Sequence, residues 1–76
     1  MNDLTPRQAD ILEAVRWLTV DQGYPPTIRQ VCDHLNLSSP GYVHYQLGEM
    51  ERKGRITRSP DARRLIQIVP QPPERV

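Results

Sequence analysis

Between Ser39 and Gln46 the chain carries polar side chains that can donate or accept hydrogen bonds, and none of them is acidic. Hydroxyl, imidazole and amide groups without a carboxylate suit the recognition of a polar, negatively charged surface. They do not suggest catalysis, because His34 and His44 have no nucleophile or carboxylate at a credible spacing. The candidate recognition residues are Ser39, Gly41, Tyr42, His44, Tyr45 and Gln46, with Gly41 leaving room for close approach of the backbone.

The basic residues are concentrated downstream of this polar stretch. Residues 52–64 contain six basic side chains against Asp61, a local charge of +5, so the rest of the chain sums to −4 within the net charge of +1. This asymmetry would attract and orient a polyanion. The alternative is an ordinary solvated surface with scattered arginines. The basic residues are Arg52, Lys53, Arg55, Arg58, Arg63 and Arg64.

The first element is predicted to be a helix from Pro6 to Gln22. Thr5 offers a capping hydroxyl, proline suits the first helical position, and Gln8 stands where a capping box needs it. Gly23 supplies the left-handed residue that ends the helix. The residues expected to face inward recur at helical spacing: Ile11, Leu12, Val15, Leu18 and Thr19.

Two further helices are predicted after the extended Tyr24-Pro25-Pro26 segment. Thr27 and Gln30 form a second capping box, and the helix that follows should end near Asn36 with Ile28, Val31 and Leu35 inward. Ser39 caps the third helix, which has Pro40 at its first position and ends at Gly54. Its predicted inward residues are Val43, Leu47 and Met50, and its outward face is Gly41, Tyr42, His44, Tyr45 and Gln46.

After Gly54 the pattern changes from helical to alternating. Residues 55–58 and 65–69 are predicted to form two strands of a hairpin with its turn at 59–62. Residues 70–76 contain three prolines and should form an extended linker or tail. Seventy-six residues suffice for one domain, here 1–69.

The order of these elements predicts a winged helix-turn-helix, a mainly α fold (α+β) of three helices and a two-stranded antiparallel wing. A helix fits the major groove of double-stranded DNA, where each base pair presents its own donors and acceptors. The exposed N-terminal half of the third helix would then contact the bases. We therefore expect sequence-specific DNA binding.

Several short motifs spread over about residues 4–69 support this expectation. They are Leu4-Thr5-Pro6-Arg7-Gln8, Gly23-Tyr24-Pro25-Pro26-Thr27, Val43-His44, Leu47, Glu51-Arg52-Lys53-Gly54, and the later Asp61, Arg63 and Arg64. Together they resemble the N-terminal DNA-binding domain of LexA-type (SOS) repressors. The resemblance implies a transcriptional repressor that responds to DNA damage, binds palindromic operators as a homodimer, and is bacterial or phage-encoded and nucleoid-associated in the cytoplasm.

The resemblance also implies roles for individual residues. Bases would be contacted by the helix from Ser39. From its predicted exposed face, we expect the contacting residues to be Ser39, Gly41, Tyr42, His44 and Tyr45. The DNA backbone would be contacted by Arg7, Thr27, Arg29, Arg52, Lys53 and Arg64, to which we add Gln46 and Arg63. The family's dimerisation and self-cleavage domain, with its Ser-Lys pair, is not in these residues, so no enzymatic activity is expected. A piece of a longer repressor and a stand-alone module both stay open, and the operator is not assigned.

Each of these residues also has an ordinary interpretation. Ser39 and Thr27 could be helix caps only, the tyrosine rings could pack on neighbours, and Arg63 and Arg64 could deter edge-to-edge aggregation. A winged helix can also serve as a protein-interaction module, for which the off-stripe Trp17 is a candidate contact. Cys32 is interpreted as a buried small hydrophobe. We expect no metal, cofactor, small-molecule ligand, signal peptide or membrane span.

Overall fold

The computed structural model describes residues 3–61 and 63–71. Three helices, α1 (Pro6–Gln22), α2 (Ile28–Leu35) and α3 (Pro40–Arg52), precede two strands, β1 (Ile56–Arg58) and β2 (Ile66–Ile68). The strands pair antiparallel, with Ile56 opposite Ile68 and Arg58 opposite Ile66. This arrangement confirms the predicted fold class. Within the described ranges, no helix is long and apolar enough to cross a membrane.

The first two helices begin at complete capping boxes, as predicted. The backbone N–H of Gln8 donates to the Thr5 hydroxyl at 3.2 Å, and the Thr5 N–H donates to the Gln8 side chain. Thr27 and Gln30 repeat this exchange at the start of α2. Four backbone donors that the helices would otherwise leave unsatisfied are thereby paired.

Two left-handed residues decide where the chain turns around α3. Asn36 has φ 57°, and beyond it the Leu37 N–H donates to the Cys32 carbonyl at 2.9 Å. Gly54 has φ 73°, and the Arg55 N–H donates to the Met50 carbonyl at 3.0 Å. Both are Schellman motifs, which satisfy helix carbonyls and reverse the chain direction. The first leads the chain toward Ser39 and the second leads it into the wing.

The core lies where the three helices and the inner side of the wing meet. The predicted inward residues of α3 are completely buried, and Ile11, Leu12, Val15, Val31 and Cys32 are buried as predicted. Leu18, Ile28 and Leu35 pack at its edge, and Thr19 is half-buried with its hydroxyl donating to the Val15 carbonyl. The core cluster is Ile11, Leu12, Ala14, Val15, Val31, Cys32, Val43, Leu47, Met50, Ile56 and Ile66.

The wing strands are shorter than predicted. Arg55 is excluded from β1 because its N–H completes the helix stop. Beyond Arg58, the Ser59 N–H donates to the Leu65 carbonyl at 2.9 Å, but neither residue belongs to a strand. The Ile66 N–H donates to the Pro26 carbonyl at 2.9 Å, which ties β2 to the segment before α2. Ala62, in the predicted turn, and residues 72–76 of the predicted tail lie outside the described residues.

Leu47→Ala tests whether the buried stripe of α3 holds the domain together. Removing a fully buried leucine loses transfer free energy and leaves a cavity, so we expect the free energy of unfolding to fall by about 2 to 5 kcal/mol in chemical denaturation. Val20→Ala is the control, since Val20 is 80% exposed and should change stability by no more than about 0.5 kcal/mol. Equal losses from both variants would contradict this account of the core.

Candidate nucleic-acid interface

The exposed side of α3 carries the predicted base-contacting residues. Val43, Leu47 and Met50 face the core, so residues on the opposite side of the helix face solvent. Tyr42 is 41% exposed and Tyr45 is 62% exposed. The structure therefore gathers onto one accessible surface the residues Ser39, Gly41, Tyr42, His44 and Tyr45.

The start of this surface is open. Ser39 caps α3 by accepting from the Tyr42 N–H at 3.3 Å, which confirms its role as a helix cap. A Cβ placed on Gly41 would meet no atom within 4 Å, so the protein itself does not require glycine there for space. The missing side chain leaves the backbone of the first turn accessible to a ligand.

Gln46 corrects one prediction, because it is half-buried rather than on the outward face of α3. Its Oε1 accepts from Gln8 Nε2 on α1 at 3.0 Å. The physical reason is helical geometry: Gln46 precedes Leu47 and follows Val43 by three residues, which places it beside the buried stripe. Only part of its amide is left for another partner.

Gln8 also binds Lys53, the residue that follows the last residue of α3. Lys53 Nζ donates to Gln8 Oε1 and to the Asp3 carbonyl, each at 2.7 Å. Two of the three ammonium donors of Lys53 are thus used inside the protein, and the third is left for a phosphate. Sequence reasoning identified Gln8 as a capping residue and missed this second role, because its partners are distant in the chain.

Arg58 on β1 joins the wing to the exposed face of α3. Its side chain is only 9% exposed, and its Nη2 donates to Glu51 Oε1 at 2.7 Å. Its Nη1 lies 3.0 Å from Nδ1 of His44. The sequence analysis counted Arg58 among the charges of the basic segment, whereas in the structure it also contacts His44, one of the predicted base-contacting residues.

Much of the predicted positive charge is balanced locally. Arg52 pairs with Glu49, Arg55 with Asp3 and Arg63 with Asp61, in addition to the Arg58 pair. Except for Asp61, these acidic residues lie outside residues 52–64. The local charge of +5 therefore overstates the positive charge that this segment presents to a ligand. Among the described residues, the predicted backbone-contacting arginines that form no ion pair are Arg7, Arg29 and Arg64.

At the wing tip, Asp61 is the centre of a hydrogen-bond network. Its carboxylate accepts from the Arg63 side chain at 2.9 Å and from the Ser59 hydroxyl at 2.9 Å. The hydrogen bonds from Arg63 and Ser59 lower the pKa of Asp61 to about 2. Arg64 follows in the left-handed region with φ 51°, which is costly for a residue with a Cβ. The loop therefore holds Arg64 exposed in a defined backbone conformation.

A sequence profile described as the LexA DNA binding domain matches residues 1–65. The chain belongs to the LexA DNA-binding domain family. It is 38% identical over 73 residues to the LexA repressor of Desulfatibacillum aliphaticivorans, covering 96% of this chain and 36% of the relative. The LexA repressor of Clostridium acetobutylicum is 40% identical over 65 residues, covering 86% of this chain and 32% of the relative. The LexA repressor of Mycolicibacterium smegmatis is 42% identical over 67 residues, covering 88% of this chain and 28% of the relative.

Membership of this family makes double-stranded DNA the ligand of the domain, and the family match covers a DNA-binding domain. The chain spans about a third of the length of these curated relatives, and it matches their DNA-binding part. The assignment of individual residues to bases or to the DNA backbone stays a prediction. Trp17, the other candidate contact, is 54% exposed and stacks against His34 with ring centroids 5.2 Å apart.

The pH response of the wing tip tests its hydrogen-bond network. The folded-state pKa of Asp61 lies below its ordinary 3.8, so the contribution of its carboxylate to stability is full above about pH 4 and is lost as pH falls toward about 2. Arg63→Ala should raise that pKa toward 3.8, as followed by the carboxyl carbon shift in NMR. Arg16→Ala is the control variant and should leave the Asp61 titration unchanged. An Asp61 midpoint near 3.8 in the unsubstituted chain would show that the network does not form.

Proposed function

We propose that this chain binds double-stranded DNA sequence-specifically as the DNA-binding part of a LexA-like transcriptional repressor. The observation that carries the proposal is the exposed, non-acidic polar surface on the N-terminal half of α3, which is oriented by the core and supported by the wing. In DNA, the groove that admits such a helix is the major groove, where every base pair is distinguishable. The residues proposed to contact bases are Ser39, Gly41, Tyr42, His44 and Tyr45.

A second set of residues is proposed to contact the DNA backbone. Arg29 and Arg64 are exposed and form no ion pair in the described part of the chain, so their guanidinium groups are available to phosphates. Thr27 and the free N–H groups at the start of α2 suit a phosphate at a helix N-terminus. Arg7, Gln46, Arg52, Lys53 and Arg63 complete the set. The side chains of the last four already use part of their hydrogen-bonding capacity within the protein.

We further propose that two copies bind a palindromic operator. One α3 and one wing can contact about one half-site, so useful affinity favours two domains about one helical turn apart on the same face of DNA. The relatives named LexA repressor are about three times longer than this chain, and their remaining length could supply further contacts between copies. Selection of binding sequences from a random duplex pool tests this arrangement: a palindromic consensus supports it, and a single half-site contradicts it.

Arg64→Gly tests the proposed phosphate contact without disturbing the wing. Glycine accepts the left-handed conformation of this residue, so the loop is retained while the charge is removed. We expect affinity to fall on all duplex sequences to a similar extent, and the slope of log affinity against log salt to decrease by about 1. Arg16→Ala removes a charge from the exposed side of α1 and should change the slope little.

Failure of the unsubstituted chain to bind any duplex at low salt would contradict DNA binding itself. It would favour the alternative, a protein-interaction module, for which the exposed Trp17 and Val20 on α1 offer apolar contacts. An affinity that does not depend on salt would also contradict the proposed phosphate contacts, because neutralising phosphates releases counterions.

Tyr45→Phe tests base recognition by a side chain that is 62% exposed. The substitution removes the hydroxyl and keeps the ring, so stability should be unaffected while preference for the selected sequence falls by about 1 kcal/mol. Tyr24→Phe is a matched control, since Tyr24 is 55% exposed and lies between α1 and α2. A uniform loss on selected and random duplexes would show that Tyr45 does not discriminate between bases.

A further inference from the structure

We propose that His44 recognises a hydrogen-bond acceptor on a base edge through its Nε2–H group, and that Arg58 is the positioning residue that fixes this donor. The proposal deepens the proposed function and rests on it, because it concerns how α3 discriminates between bases. It names an arginine of the wing strand, with a side chain that is 9% exposed, as a determinant of DNA specificity, although Arg58 itself contacts no base in the proposal.

The first step is the contact between the two side chains. Nη1 of Arg58 lies 3.0 Å from Nδ1 of His44. A guanidinium group has only donors and stays protonated, so the histidine nitrogen in this contact must be the acceptor. The neutral imidazole then carries its proton on Nε2. In the absence of such a partner, an exposed neutral histidine can exchange between its two tautomers and can offer either a donor or an acceptor at the same position.

The second step is the rigidity of Arg58. Its Nε and Nη2 both donate to Glu51 Oε1, at 3.2 and 2.7 Å, which leaves Nη1 directed to His44. The side chain is 9% exposed and extends from β1, where Arg58 pairs with Ile66. Glu51 lies seven residues after His44 on α3, which places both side chains on the same side of the helix, two turns apart. The guanidinium group of Arg58 bridges these two side chains. A planar fork held at one end is well suited to fix the group at the other end.

The third step is the chemistry that remains for DNA. His44 is exposed, and with Nδ1 occupied by Arg58 its free nitrogen is the Nε2–H donor. In the major groove the matching acceptors are N7 of a purine, O6 of guanine and O4 of thymine. The amino groups of cytosine and adenine are donors and do not match. The tautomer thus converts a residue that could recognise either kind of edge into one that recognises acceptors.

The tautomer is tested first, in the protein without DNA. Ring-nitrogen NMR at about pH 8, above the ordinary histidine pKa of about 6.5, distinguishes the Nε2–H form from the Nδ1–H form. We expect the Nε2–H pattern for His44, and a shift toward mixed tautomers in Arg58→Ala and in Glu51→Gln. Arg16→Ala is the matched control, since Arg16 is exposed on α1 and has no part in the proposed interface. His34 serves as an internal reference, because no arginine hydrogen-bonds to it within the described residues.

Two outcomes of this measurement overturn the proposal. One is an Nδ1–H pattern for His44 in the unsubstituted chain, and the other is an unchanged pattern in a folded Arg58→Ala variant. If Arg58→Ala does not fold, as judged by its amide spectrum, Glu51→Gln provides the comparison. This substitution retains the arginine and weakens the hydrogen bonds that orient it. The pattern of the unsubstituted chain tests the tautomer in either case.

Base recognition is tested next, on a duplex selected by the unsubstituted chain. Single acceptors are removed or weakened by 7-deazapurines, 6-thioguanine and 4-thiothymine. At one position we expect a loss of about fivefold or more, the lower end of a good base contact. That loss should disappear in His44→Ala and shrink in Arg58→Ala, because neither variant retains the fixed donor. Arg16→Ala, at an exposed residue outside the proposed interface, should retain it.

The possible failures are distinguishable. If the unsubstituted chain selects no duplex sequence, the proposed function fails and base recognition by His44 fails with it. If it selects a sequence but every acceptor substitution costs the same in His44→Ala as in the unsubstituted chain, specific DNA binding stands and only the role of His44 is overturned. A loss that persists fully in Arg58→Ala overturns the positioning role of Arg58.

Discussion

Burial of one stripe of α3 is the constraint on which the candidate interface depends. Val43, Leu47 and Met50 are completely buried against α1, α2 and the inner side of the wing. Because side chains on a helix are fixed in angle relative to one another, burying this stripe also decides which residues face outward. Apolar burial is non-directional, however, and it would tolerate some rotation or sliding of the helix.

Directional contacts remove this freedom at both sides of the stripe. Gln8 links Gln46 and Lys53 to the start of α1, and Arg58 links Glu51 and His44 to the wing. Within the described residues, no buried side-chain nitrogen or oxygen lacks a hydrogen-bond partner. A rotated α3 would leave such groups unpaired, at a cost of about 1 to 3 kcal/mol for each. Polar contacts therefore fix the orientation that the apolar core makes favourable.

The charged side chains fall into two groups: some pair with one another within the protein, and others are exposed and unpaired among the described residues. Arg55 and Arg58 pair with acidic residues before α1 and on α3, which joins the wing to the helices. Arg63 pairs with Asp61 within the wing tip, whereas Arg29 and Arg64 present their charges to solvent. A net charge of +1 is thus compatible with DNA binding, since affinity depends on where unpaired charges lie. One of these unpaired charges, that of Arg64, lies at the wing tip.

The sequence by itself determined the helices, their ends and most of the core, because those features depend on neighbours three or four residues apart. Capping boxes at Thr5 and Thr27, the left-handed Asn36 and Gly54, and apolar periodicity all act within a turn of helix. Only the tertiary structure decided that Gln8 binds both Gln46 and Lys53, and that Arg58 holds His44. These contacts join residues 38, 45 and 14 positions apart, and no local preference encodes them. They exist because packing of the apolar stripe brings α1, α3 and the wing together.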